Sequence, residues 1–431
     1  MAVYAFDGTT NQYHGPLSPD NTNVVRFLEC CDSANTGPAA IGVLSEDEEY
    51  VAGVGTRLGH IGKVIGGFSG MGGRERVREL KARLEENWKA GDQVVDVIGY
   101  SRGAALALHF CNALADGIEI GGETVTPKVR FLGLWDTVPS FGLPGVLIDA
   151  FNALNIGWKL RVPANVRYCG HVMALDEDRQ AFQVYRPLVK DPRSAKVEEI
   201  WMRGTHADIG GAQPGLSSIA LLWMLERAEA CGVAVLSAAM EEVRERCNPD
   251  EPISSTRFTG DKEHRKPRVG DLFHPTAALP LAVGEGKRLL VDAKKKFDVS
   301  KVLIEPDSEY VFELDPEAEW VDKDIRCTCA GWPDNLGDQK PGILDDIKWA
   351  VLRSYVFSNF RRVPTANWFE LVACLDYDLD TATPIGQGHH STSEKPWRPE
   401  GLGRLTLFAN DSELKYDNNE GEMPVTIRRV A

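Results

Sequence analysis

The chain has 431 residues, of which 43% are apolar, so it is long enough to bury a large core in more than one domain. Its 63 acidic side chains outnumber the 48 basic ones and leave a net charge of −15. Because an acidic surface repels phosphate backbones, we expect no nucleic-acid partner.

The N-terminal residues 1–7 have neither the basic segment nor the long apolar segment of a secretory signal peptide. Nowhere does an apolar run approach the about 18 residues that a transmembrane helix needs. The nine cysteines are odd in number and lack the spacing of a disulfide framework, which is typical of a reducing compartment. We therefore predict synthesis in the cytoplasm and no transmembrane segment.

Strand-like and helix-like segments alternate through the first part of the chain. The strand-like runs are residues 94–98, 129–135 and 199–202, and helical spacing is found at residues 74–89 and 217–231. This alternation predicts an α/β fold, in which helices cover both faces of a parallel sheet. We assign this fold to a first domain, residues 1–285.

The strongest chemical signal follows the first of these strands. The sequence Gly99-Tyr100-Ser101-Arg102-Gly103 fits the pattern G-x-S-x-G, and small residues then begin a helix. A serine in this strained strand-to-helix turn needs very small flanking residues, which Gly99 and Gly103 provide. Its hydroxyl lies at a helix N-terminus, where the dipole favours a developing negative charge. The context predicts Ser101 as a nucleophile, with an ordinary turn serine as the alternative.

A nucleophilic serine needs a histidine base, and the base needs an orienting carboxylate. His206 lies in a glycine-flanked loop directly after the strand-like run at 199–202, where a strand end would deliver a base. Asp136 directly follows the run at 129–135, at the same edge of the predicted sheet. Asp208 is the alternative carboxylate, although its closeness to His206 in sequence suits a loop brace better.

An oxyanion hole requires backbone N–H groups. The first would come from Arg102, the residue after the nucleophile. For the second we predict Gly8 or Thr9, which follow an early strand at residues 3–6. Asp7, in front of them, could instead brace an ordinary Asp-Gly turn.

Five motifs in order resemble one family: residues 6–9, 53–56, 99–104, 134–138 and 206–211. It is the bacterial and fungal family of α/β-hydrolase catalytic domains that includes type VI secretion lipase effectors. The resemblance implies a Ser-Asp-His triad of Ser101, Asp136 and His206, with esterase or phospholipase activity. It also implies delivery by a secretion system that needs no signal peptide. Thr10 departs from the family, which usually has an aromatic residue there.

Two apolar segments bear on the substrate. Residues 53–73 are rich in glycine, and residues 141–158 form an apolar stretch after Asp136. Flexible apolar loops beside a nucleophile suit a lid over an acyl pocket. Core helices with glycine turns are the alternative, so both interpretations stay open.

The sequence pattern changes at residue 286, and residues 286–431 consist of strand-like runs separated by turn-like segments. The strand-like runs are residues 288–291, 310–314, 369–375, 404–408 and 425–430. They predict a second domain with a β-sandwich fold. A helical insertion is predicted at residues 343–360.

A polar loop at residues 410–421 resembles the calcium loop of bacterial galactose-specific lectins. The resemblance implies that Asp411, Asn418 and Asn419 bind calcium with their side chains and that Lys415 contributes its carbonyl oxygen. Calcium prefers such hard oxygen ligands. A galactose-type glycan is then a possible ligand, and an ordinary polar hairpin is the alternative.

Two function classes result. The first is a serine hydrolase that cleaves carboxylic esters, a phospholipase or lipase whose catalysis needs no cofactor, targeted by a lectin-like module. The second is a glycan- or partner-binding protein built on a hydrolase scaffold.

Overall fold

The computed structural model describes residues 2–8, 18, 21–31, 71–139, 159–187, 196–255, 262–323, 325–332 and 361–431. The chain divides into two units. The first comprises Met1–Arg265 and Leu272–Ala277, and the second comprises Lys266–Asp271 and Ala278–Ala431. The change of unit at Ala278 lies a few residues before the boundary expected at 285/286.

A six-stranded sheet forms the centre of the first unit, and each neighbouring pair of strands is parallel. Its strands in spatial order are β1 (Ala2–Phe6), β2 (Val95–Tyr100), β5 (Val129–Trp135), β6 (Tyr168–Ala174), β7 (Lys196–Met202) and β8 (Leu272–Phe273). A separate hairpin consists of β3 (Ile118–Ile120) and β4 (Glu123–Val125). Because the six strands run the same way, the residues that follow them meet at one edge of the sheet.

Helices cover both faces of this sheet, as predicted. The helices are α1 (Asn23–Glu29), α2 (Met71–Lys89), α3 (Arg102–Ala115), α4 (His206–Gly210), α5 (Pro214–Ala230) and α6 (Ser237–Glu245). Strand β1 shows the two faces directly, since side chains alternate along a strand. Tyr4 and Phe6 pack into a core with α2 and α3, whereas Val3 and Ala5 pack into a core with α1, α5 and α6.

Strand β6 was not predicted from the sequence. Its seven residues are all buried, but Gly170 and His171 interrupt the apolar run that would have identified it. His171 is fully buried, and its Nδ1 lies 3.1 Å from the Glu199 carboxylate. The sheet therefore places a strand between β5 and β7 that the periodicity of the sequence did not reveal.

The second unit is rich in β-strands, as predicted. One sheet contains β10 (Gly286–Asp292), β19 (Glu422–Arg429) and β12 (Tyr310–Leu314). A five-stranded sheet contains β16 (Asp378–Pro384), β15 (Leu371–Leu375), β17 (Gly403–Ala409), β11 (Asp298–Ile304) and β9 (Leu279–Pro280). A small third sheet contains β14 (Ile325–Cys327), β13 (Trp320–Asp322) and β18 (Asn419–Glu420).

Side chains of the two larger sheets join one hydrophobic cluster. Phe312 contributes from β12 and Leu371 from β15. The helical insertion predicted at 343–360 lies outside the described residues. Among the helices that the structure describes, none is both long and apolar enough to cross a membrane.

Candidate active site

Ser101 occupies a strained turn between β2 and α3. Its φ of 59° and ψ of −126° lie in a region that side chains rarely adopt. A Cβ atom on Gly103 would lie 2.1 Å from the carbonyl oxygen of Phe6, and one on Gly99 would lie 2.7 Å from that of Gly103. Only glycine fits at these positions, which explains the G-x-S-x-G pattern physically. The turn presents Ser101 at the carboxyl edge of the sheet.

His206 begins the short helix α4 and contacts the serine. Its Nε2 lies 2.9 Å from Ser101 Oγ. The imidazole stacks on the Tyr100 ring at a centroid distance of 4.9 Å and meets the edge of Phe182 at 5.0 Å. A Cβ atom on Gly210 would lie 2.1 Å from the Tyr100 ring, so glycine in the His206 motif leaves room for that ring. Aromatic packing on two sides fixes the orientation of the imidazole.

Asp136 holds the other nitrogen of the same imidazole. It directly follows β5 with a φ of 45°, and its Oδ2 lies 2.5 Å from His206 Nδ1. The backbone N–H of Ala174 donates to Oδ1 at 2.8 Å. The structure thus brings together the three side chains that the sequence predicted, Ser101, His206 and Asp136.

Arg265 also contacts this carboxylate, although no sequence pattern predicted it. One terminal nitrogen donates to Asp136 Oδ1 at 2.5 Å and the other to Oδ2 at 2.9 Å. Burial alone would raise the pKa of Asp136, but the charge of Arg265 and the contact with His206 outweigh it and hold that pKa well below its ordinary value. Asp136 is therefore ionised at neutral pH.

Asp208, the alternative carboxylate, has a different set of partners. It accepts hydrogen bonds from the backbone N–H of Thr205 at 2.8 Å and of Ser254 at 3.2 Å, and from both hydroxyl groups. Thr205 and Asp208 form a capping box at the start of α4. Asp208 thus braces the helix that carries the histidine, whereas Asp136 contacts the imidazole.

Glu177 is a second residue that the sequence did not reveal. Its Oε2 accepts the backbone N–H of His206 at 3.0 Å, and its carboxylate binds Arg179 through two bonds of 2.6 and 2.8 Å. The Arg179 guanidinium lies 3.7 Å from the centroid of Phe182, the ring that contacts the imidazole. These contacts link the position of His206 to the segment after β6.

The residues expected to form an oxyanion hole are only partly described. Arg102 is the first residue of α3, directly after the nucleophile. The N–H of Gly8 donates to Asp7 Oδ1 at 2.6 Å, and Asp7 Oδ2 accepts the Thr22 hydroxyl at 2.7 Å, so Asp7 braces this turn. Thr9 lies outside the described residues, as do residues 53–70 and 141–158 of the two predicted lid segments.

The predicted calcium loop of the second unit contains buried side-chain oxygen atoms that accept no hydrogen bond from the described residues. Asp411 is 3% exposed and Asn419 is fully buried, and among the described residues nothing donates to Asp411 Oδ2 or Asn419 Oδ1. Asn418 donates to Asp322 Oδ1 at 3.1 Å, and the Lys415 carbonyl accepts the Asn418 N–H at 3.3 Å. Burial and the charge of Asp411 raise the pKa of Asp322 to about 6.

Asp322 lies directly opposite Asn419 in the pairing of β13 with β18, so both side chains project from the same face. Among the described residues, no three His, Cys, Asp or Glu side chains come together as a metal site. A cation here would therefore need amide and carbonyl oxygens as well as carboxylates.

Several solved structures resemble the chain at low identity. An uncharacterized protein from Pseudomonas aeruginosa has 18% identity, and the match covers 57% of this chain and 48% of that one, with a TM-score of 0.34. The N-terminal domain of EclA, a PllA-like lectin, has 18% identity over 33% of this chain and 94% of its own, with a TM-score of 0.21. The Tle1 effector bound to the VgrG spike has 15% identity over 97% of this chain and 69% of its own, with a TM-score of 0.28. TM-scores this low do not establish a common fold.

The chain thus spans about half the length of the first of these proteins. No curated protein matches it. One family model does match, over residues 2–117 and 113–227, which is more than half of the sequence. Its description is the catalytic domain of Tle1-like phospholipase effectors of the type VI secretion system. This match covers the strands from β1 to β7 and includes Ser101, Asp136 and His206. The chain therefore belongs to the family of Tle1-like type VI secretion phospholipase effectors.

Proposed function

We propose that the chain is a serine hydrolase that cleaves carboxylic esters of lipids, as a phospholipase or lipase. The observation that carries this proposal is the position of the His206 imidazole, 2.9 Å from Ser101 Oγ and 2.5 Å from Asp136 Oδ2. Membership of a phospholipase effector family supports a lipid ester as the substrate. A similar fold alone would not support a lipid ester as the substrate, because one fold occurs in proteins with many different activities.

In the proposed acylation step, Ser101 Oγ attacks the carbonyl carbon of the ester while His206 Nε2 accepts the hydroxyl proton. The carbonyl oxygen becomes an oxyanion, which we expect the N–H groups of Arg102 and Thr9 to stabilise, since the N–H of Gly8 donates to Asp7 Oδ1. Collapse of this intermediate breaks the ester C–O bond. His206 returns the proton to the leaving alcohol, and the acyl group remains on Ser101.

Deacylation repeats these roles with water as the nucleophile. His206 accepts a proton from water while the water oxygen attacks the acyl carbon. The bond between that carbon and Ser101 Oγ then breaks, His206 returns the proton to Oγ, and the carboxylic acid is released. Asp136 stays ionised throughout and stabilises the imidazolium that forms in each half reaction. No metal or organic cofactor is needed for these proton transfers.

A panel of phospholipids, neutral lipids and soluble short-chain esters tests this proposal with the full chain. We expect hydrolysis together with labelling of Ser101 by a fluorophosphonate probe. The alternative function, a binding protein on a hydrolase scaffold, requires neither result. Absence of both hydrolysis and labelling in folded protein would favour that alternative.

For delivery, we propose that a type VI secretion system exports the chain, as its family membership implies. A pull-down with the secretion spike protein of the same genome tests this proposal. Retention of the chain by that spike is the expected result, and its failure to bind would contradict a direct partnership.

We also propose that the second unit binds one calcium ion. The supporting observation is the pair of buried oxygens, Asp411 Oδ2 and Asn419 Oδ1, to which no residue in the described part of the chain donates a hydrogen bond. Buried polar atoms without partners are rare, so an ion is a physical reason for them to persist. Asp411, Asn418, Asn419 and the Lys415 carbonyl supply the hard oxygens that calcium prefers.

The adjacent Asp322 adds a second carboxylate whose charge a cation would balance. Calorimetric titration of the full chain with calcium tests the site, and one binding event per chain is expected. A galactose-bearing matrix, with and without chelator, tests the glycan proposal separately. If the chain binds calcium but the galactose-bearing matrix does not retain it, the calcium site has a structural role and does not bind this glycan.

A further inference from the structure

We propose that Arg265 is a positioning residue of the hydrolase site, which fixes the plane of the Asp136 carboxylate and the place of the Phe182 ring against the His206 imidazole. This inference rests on the proposed hydrolase function. It assigns to one buried side chain the orientation of both groups that hold the imidazole.

The geometry of Arg265 is that of a fixed fork. Its two terminal nitrogens donate to both oxygens of Asp136, to the carbonyl oxygen of Ala174 at 2.7 Å and to the carbonyl oxygen of Phe182. The side chain is 1% exposed, and that of Asp136 is fully buried. A planar guanidinium bound at four oxygens can rotate very little, so it holds the carboxylate in one plane.

The same fork joins the two groups that orient the imidazole. Asp136 Oδ2 contacts His206 Nδ1, and Phe182 packs against the imidazole ring. Arg265 donates to the side chain of Asp136 and to the backbone carbonyl of Phe182. Loss of Arg265 would therefore loosen both contacts without removing any group that touches the substrate.

Other contacts that hold His206 do not involve Arg265. Glu177 accepts its backbone N–H, and Tyr100 stacks on the imidazole ring. Removal of Arg265 therefore leaves these contacts in place and affects the imidazole through Asp136 and Phe182.

The test compares Arg265→Gln, Arg265→Lys and the wild-type full chain on a soluble short-chain ester. For Arg265→Gln, we expect kcat to fall by about 10-fold or more with KM little changed, because positioning acts on the reaction and not on binding. Arg265→Lys keeps the positive charge beside Asp136 without the planar fork, so it should recover stability but only part of the lost kcat.

Arg130→Gln is the matched control, because Arg130 also binds a buried carboxylate, that of Asp96, through two nitrogens. It should lower the melting temperature and leave kcat unchanged. A folded Arg265→Gln protein with the kcat of the wild type would overturn the proposal and reduce Arg265 to a structural residue.

Should the glutamine variant not fold, an unchanged kcat in Arg265→Lys would overturn the proposal instead, and a reduced kcat with unchanged KM would support it. Inactivity of the wild type towards every ester, without probe labelling, would refute the hydrolase function itself. That outcome is distinct from active variants whose kcat equals that of the wild type.

Discussion

Asp136 Oδ2 lies 2.5 Å from His206 Nδ1, which fixes the proton arrangement of the site. An ionised carboxylate can only accept a hydrogen bond, so Nδ1 carries the imidazole proton. The other nitrogen, Nε2, is then an acceptor and faces the Ser101 hydroxyl at 2.9 Å. This tautomer is the one a general base requires before the nucleophile attacks.

Replacement of the nucleophile should separate chemistry from folding. Ser101→Ala removes one hydroxyl group from a buried site, so we expect the melting temperature to remain close to that of the wild type. Ester hydrolysis should fall by several orders of magnitude, because loss of a triad member removes the covalent step. Fluorophosphonate labelling should disappear as well. A folded Ser101→Ala protein with near-normal activity would rule out Ser101 as the nucleophile.

The two carboxylates near His206 should respond differently to substitution. Asp136→Asn should lower kcat by about 10⁴-fold, since the amide no longer holds the required tautomer. Asp208→Asn disturbs the cap and its bonds to Thr205 and Ser254, so it should cost about 1–3 kcal/mol of unfolding free energy and much less activity. Steady-state kinetics and urea unfolding of both variants provide the comparison. The opposite ranking of activities would transfer the orienting role to Asp208.

Acid should weaken the first unit through Asp136. The pKa of this carboxyl in the folded chain lies below its ordinary value of 3.8, so its ionised form favours folding. That contribution is present above about pH 4 and is lost as the pH falls towards the folded-state pKa. The stability gap between the wild type and Asp136→Asn should therefore shrink between pH 7 and pH 3 in urea unfolding. A gap that stays constant over this range would contradict the assignment.

Calcium should stabilise the second unit. Millimolar calcium should raise the melting temperature by mass action, because the loop binds the ion only when folded, and a chelator should reverse the shift. Asp411→Asn should abolish the effect. Asp417→Asn is the matched control, since Asp417 lies in the same loop but is exposed. Equal responses of the two variants would refute the proposed ligand set, and no response of the wild type would make the loop an ordinary hairpin.

Much of the fold and of the candidate site could be predicted from local sequence patterns. The strand at 129–135 has the predicted bounds in the structure, and the strand before Ser101 differs by a residue or two at each end. Local sequence is sufficient here because strands, turns and strand ends are determined over a few neighbouring residues. The parallel arrangement then brings Ser101, Asp136 and the His206 loop to one edge.

The sequence by itself determined the nucleophile turn, since only glycine fits beside the strained Ser101, and it named both the base and the carboxylate. Only the tertiary structure decided that Asp136, and not Asp208, contacts the imidazole. It alone revealed Arg265, which lies 129 positions from Asp136 in sequence, and Glu177, whose carboxylate binds the His206 backbone. The reason is physical: a buried ion pair is formed by proximity in space, and no local periodicity or spacing records which distant charge a fold brings to a carboxylate.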